Sequence, residues 1–155
     1  MSNEIDVTIL PGWRQAAQDF LQEFRYGDVV PLWWLEARFD IPTLADSQTL
    51  TADEFRERQF AWLGAIEAFK AYLLQHHQVM LVSVRGKGYR WVPPHEQTDV
   101  AMRDFRHGAQ KLFRSASTRL QNLRHLELTD EQRKSSTDAT TKLSALRGMV
   151  RKALT

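Results

Sequence analysis

Arg85-Gly86-Lys87-Gly88-Tyr89-Arg90 sets three cations around two glycines, between the apolar runs Val79–Val84 and Trp91-Val92. Runs rich in β-branched and aromatic residues on either side of a glycine turn predict a β-hairpin over 79–92 with a cationic tip. Cations placed there neutralise phosphates and release counterions. Gly86 and Gly88 permit positive φ and a close approach of backbone to phosphate, or else only a tight turn. Arg90 alternates with Tyr89 and Trp91, which puts it on the outer face of its strand. A second set, Arg56, Arg58 and Gln59, opens a long helical stretch. Arg56 and Gln59, about one turn apart, suit guanine and adenine edges respectively, and a solvated helix face is the plain alternative. A third set comprises Arg103, Arg106, Lys111, Arg114, Arg119 and Arg124. It is either a phosphate-binding stripe or the soluble face of a coiled coil.

No enzymatic constellation accompanies these cations. His76, His77, His95, His107 and His125 lack metal-ligand spacing, and with no cysteine there is neither a thiolate site nor a disulfide. No phosphate-cradling glycine loop or nucleophile elbow occurs. The chain therefore reads as a non-enzyme without cofactor or metal. Five tryptophans invite single-strand stacking. Trp13 and Trp62 fall on apolar helical faces, however, Trp91 suits the core, and only one of Trp33 and Trp34 can point inward.

Charge is informative by position. Residues 1–55 carry ten acids and three bases, or −7, and residues 56–155 carry eighteen bases and nine acids, or +9, within a net +2. Such polarity favours an anionic partner on one face. No apolar run is long enough for a membrane span, and the first residues lack the order of a secretory signal. Both suit a cytoplasmic protein.

The elements that position these groups follow from periodicity. Trp13, Ala16, Ala17, Phe20, Leu21 and Phe24 form one helical face, with Gly27 a candidate C-terminal cap. Val29-Val30 is extended, and Pro31 opens a second helix that buries Leu32 or Trp33, Leu35 and Phe39. Residues 40–50 read as a loop. Thr51-Ala52-Asp53-Glu54 is a capping box that starts a third helix to about His76, with Phe55, Trp62, Leu63, Ile66, Phe69 and Leu73 inward. Pro93-Pro94 marks a boundary. A fourth helix over about 96–125 places Met102, Phe105, Ala109, Leu112, Ala116 and Leu123 on one seam. A second capping box at Thr129–Gln132 opens a fifth, to about Ala153, with Ala139, Leu143, Leu146 and Val150.

The hairpin residues Val84-Arg85-Gly86-Lys87-Gly88-Tyr89-Arg90, after the order Phe20-Leu21, Gly27–Val30, Leu35, Phe39 and a long helix, resemble the winged-helix effector domain of response-regulator transcription factors. The resemblance covers about 13–92. It implies a third helix in the major groove and a hairpin tip at the minor groove or backbone, without a receiver domain. With its helical tail the arrangement also looks like small phage and prophage proteins. The expectation is a mainly α (α+β) chain: an arm over 1–12, a winged helix-turn-helix with a β-hairpin wing over 13–93, and an antiparallel two-helix hairpin over 94–155. The tail would self-associate through Phe105, Leu112, Leu143, Leu146 and Val150. DNA-binding residues would be Arg56, Arg58, Gln59, Arg85, Gly86, Lys87, Gly88, Arg90, Arg103 and Arg106. The expected function is regulation of transcription or replication by a DNA-binding oligomer. The rivals are a non-sequence-specific single- or double-strand organiser and an adaptor or inhibitor that binds a host protein.

Overall fold

The structure, a computed structural model, describes residues 11–41 and 49–155. Residues 1–10 of the expected arm and 42–48 of the expected loop lie outside them. The chain is mainly helical with a small antiparallel sheet, and it divides into two units at 97/98 rather than at Pro93-Pro94. Pro94 opens a helix instead of preceding a break, since its missing N–H and fixed φ suit the first helical turn.

The first unit holds α1 (Pro11–Glu23), β1 (Val29–Pro31), α2 (Leu32–Arg38), α3 (Ala52–His77), β2 (Leu81–Val84) and β3 (Gly88–Trp91). In α1 the predicted face is the buried one: Ala16, Ala17 and Phe20 are sealed, and Trp13, Leu21 and Phe24 pack against them. Gly27 does not cap α1. Four residues past the helix end and at φ 87°, it turns the chain into β1, and its N–H bonds to the Trp91 carbonyl at 2.8 Å. The end of α1 is closed by Arg25, whose guanidinium donates to the Gln22 and Phe24 carbonyls.

The sheet has the order β1-β3-β2, with Val30 opposite Tyr89 and Ser83 opposite Tyr89 from the other side. Pro31 can end β1 because an edge strand has no outer partner for a missing N–H. Val30, Leu81 and Trp91 enter the core, and Phe20 meets Trp91 at 4.9 Å between ring centroids.

In α2 Leu35 is buried and Phe39 packs against the core as expected, but the first inward residue is Trp34 and not Leu32 or Trp33. Trp34 and Leu35 are buried, whereas Trp33 is 66% exposed and Leu32 also faces out. Trp34 is held by Phe20 and Phe24 and by its indole N–H, which donates to Glu23 Oε2 at 2.6 Å. Arg38 adds ion pairs to Asp19 and Glu23 and lies over the Trp34 ring.

The fully buried positions of α3 lie in its second half, and among the described residues its first half is tied down only through Arg58, on Glu36, and Trp62, against Phe39. The capping box at Thr51 forms as predicted, and Ile66, Phe69 and Leu73 are buried. Phe55 and Leu63, expected inward, are exposed along with Phe60, and Trp62 is half-buried. A helix of 26 residues outruns the small sheet and two short helices that could cover it. Gln78 closes α3 in the left-handed conformation at φ 54°.

The second unit contains the rest of α4 (Pro94–Gln121), one 3₁₀ turn (His125–Glu127) and α5 (Asp130–Ala153), which opens with the predicted capping box at Thr129. The half-covered stripe of α4 is Ala109, Phe113, Ala116 and Leu120, so Phe105 and Leu112 lie outside it. In α5, Ser136, Leu143 and Val150 are half-covered at steps of seven, and Leu146 faces out. Among the described residues no helix is long and apolar enough to cross a membrane.

Candidate functional site

The chain turns from β2 to β3 through Arg85-Gly86-Lys87, closed by the Lys87 N–H on the Val84 carbonyl at 3.0 Å. Gly86, third of the four residues Val84–Lys87 and at φ 75°, supplies the positive φ that a type II turn requires. Arg85, Gly86 and Lys87 are all exposed, and neither cation makes an ion pair among the described residues. A short turn thus presents one guanidinium and one ammonium charge to solvent, with no acid among the described residues paired to either. That arrangement can contact adjacent phosphates.

Two neighbours expected at the same surface are committed elsewhere. Gly88 is buried, and a Cβ there would collide with the Val30 carbonyl. Its close backbone approach is to β1, within the sheet, and not to an outside phosphate. Arg90 does point to the outer face, but its guanidinium grips Glu96 in α4 through two bonds of 2.8 and 3.3 Å. Those hydrogen bonds hold the Glu96 carboxyl below its ordinary value and raise Arg90 further. Arg90 is therefore a strap between β3 and the start of α4. The pair's contribution should be complete above the ordinary glutamate value of 4.5 and lost as pH falls through the lowered value of Glu96. Glu96→Gln should accordingly lower the melting temperature near neutral pH and match the unaltered protein in strong acid, as thermal unfolding at the two pH values would record.

At the start of α3, Arg56 and Gln59 are exposed, while Arg58 lies 3.6 Å from Glu36 and is mostly covered. Arg58 is thus not the open base-reading side chain that its position suggested. Asp53, Glu54 and Glu57 surround the remaining pair, so this end of α3 is net acidic. In the second unit Arg103 lies 3.8 Å from Asp104, and Arg106 donates to the Leu154 carbonyl at 3.1 Å. Arg106 also lines a cleft with Arg114, Arg147 and Arg151. The last two were passed over in the sequence, where the usable signal was the absence of any acid across 139–155.

Comparison of the chain with protein-family models, curated proteins and solved structures gives no match.

Proposed function

We propose that the chain is a winged-helix protein that binds duplex DNA and regulates transcription or replication, as a small phage-type protein would. The carrying observation is the open cationic turn of Arg85 and Lys87, at the far end of a sheet that completes the order helix, strand, helix, helix, strand, strand. With Arg90 bound to Glu96 and Gly88 packed on β1, the wing contributes two phosphate contacts rather than three or more. The acid-flanked start of α3 leaves Arg56 and Gln59 as the base-edge readers, so backbone contacts dominate affinity.

Two weak contacts per chain call for two chains on one duplex. Phe105, Leu112 and Leu146 are exposed apolar side chains suited to self-association. Leu143 and Val150 are half-covered within their own unit and contribute less. Residues 1–97 alone, which keep the Arg90–Glu96 strap, should then remain folded and sediment as a monomer, while the full chain sediments as a dimer or larger. A truncated chain that still self-associates would remove the tail from the interface.

Arg85→Ala with Lys87→Ala should weaken duplex binding at least about tenfold at low salt. Mobility shift on random duplex, random single strand and genomic fragments checks this. Equal affinity for all three would make the protein a non-sequence-specific organiser, and an unchanged affinity would take the wing out of the mechanism.

A further inference from the structure

Four arginines of the second unit line one cleft. Arg106 and Arg114 of α4 face it from one side and Arg147 and Arg151 of α5 from the other, around a volume of about 440 Å³. Phe113 and Val150, both half-covered, form its apolar part. Arg114, Arg147 and Arg151 make no ion pair among the described residues, and Arg106 spends only one N–H, on the Leu154 carbonyl. The surrounding sequence supplies no relief either. Residues 105–126 and 139–155 contain Arg106, Lys111, Arg114, Arg119, Arg124, Lys142, Arg147, Arg151 and Lys152, and not one Asp or Glu.

A guanidinium cannot shed its proton to escape a like charge. Four of them in a concave site therefore hold a positive potential that a bound anion would lower, and concave walls focus that field. Arg forks pair with phosphate oxygens two at a time, and Arg147 and Arg151 stand one turn apart on one face. The volume falls in the range of small-ligand sites, roughly 300–1,000 Å³. A duplex meets a protein along an open surface, whereas these arginines line a concave one. The half-covered ring of Phe113 offers a flat, apolar seat beside them.

We propose that this cleft binds a nucleoside polyphosphate, with the phosphates on Arg114, Arg147 and Arg151 and the base against Phe113 and Val150. The site uses none of the residues of the Arg85–Lys87 turn and does not rest on duplex binding.

Calorimetric titration of the full chain with ATP at low salt tests it. One saturable site per chain is expected, with Kd at or below about 100 µM. The Arg147→Ala/Arg151→Ala variant should bind at least about tenfold more weakly, and Arg119→Ala, outside the cleft, should bind as the unaltered chain does. Inorganic triphosphate should also bind about tenfold more weakly, because it leaves the apolar seat empty. The proposal is overturned if ATP shows no saturable site, if Arg119→Ala is as damaging as the double variant, or if triphosphate binds as tightly as ATP. Absence of ATP binding combined with weaker duplex binding by Arg147→Ala/Arg151→Ala would assign the cleft to DNA and overturn it as well. Failure of the duplex reading is seen separately, in Arg85→Ala/Lys87→Ala.

Discussion

Gly88→Ala is expected to destabilise the first unit by about 3 kcal/mol or more, enough to lose the sheet. The added Cβ would meet the Val30 carbonyl, with Pro31 Cα 3.1 Å away, and all of these are backbone atoms that no rotamer change can move. The φ of 152° is one that side-chain-bearing residues rarely adopt. Gly86→Ala is the matched control, since nothing lies within 4 Å of its Cβ direction. Its cost should stay near about 1 kcal/mol, the usual expense of a positive φ. Urea unfolding of both variants measures the contrast, and equal effects would show that β1 does not close on β3 as described. The distinction matters for function, because two glycines that look alike in the sequence do different things. Gly86 shapes the tip, and Gly88 joins the tip to the core.

Phe69→Ala should cost about 3–5 kcal/mol, the range for emptying a large buried site. Phe69 is fully buried, with the Trp13 and Phe39 rings at 5.7 and 5.3 Å. On the same helix, Phe60→Ala should change stability by no more than about 0.5 kcal/mol, because Phe60 is 67% exposed. Denaturant midpoints for the pair read this directly. Comparable losses would mean that the first half of α3 is packed, and that its exposed Arg56 and Gln59 are not free to meet a ligand.

Much of this arrangement was legible in the residues. The apolar spacing of α1, both capping boxes and the glycine turn each depend on neighbours within a few positions, and each forms as predicted. What was not legible depended on partners far along the chain. Phe55 and Leu63 are as apolar as Ile66, yet nothing in the sequence near them tells that the covering elements stop short. Trp33 and Trp34 differ only in which one meets Phe20 and Phe24. Arg90 was visible as an outward cation, but its neutralisation required the first turn of α4 to bring Glu96 back to β3. For the same reason Arg58 looked open until Glu36 was placed beside it. The four arginines of the second unit were hidden differently: each half of the cleft is an ordinary basic helix face, and only the fold brings Arg106 and Arg114 opposite Arg147 and Arg151.

The proposed part of the Arg85–Lys87 turn in duplex binding is tested most directly by the salt dependence of affinity. Equilibrium titration of a labelled duplex with the full chain, repeated over a salt series, should give a straight fall of log K with log salt. Removing Arg85 and Lys87 together should flatten the slope by about 1.8, the value for two lost phosphate contacts. A slope unchanged by that double substitution, or no binding at the lowest salt, would contradict the account.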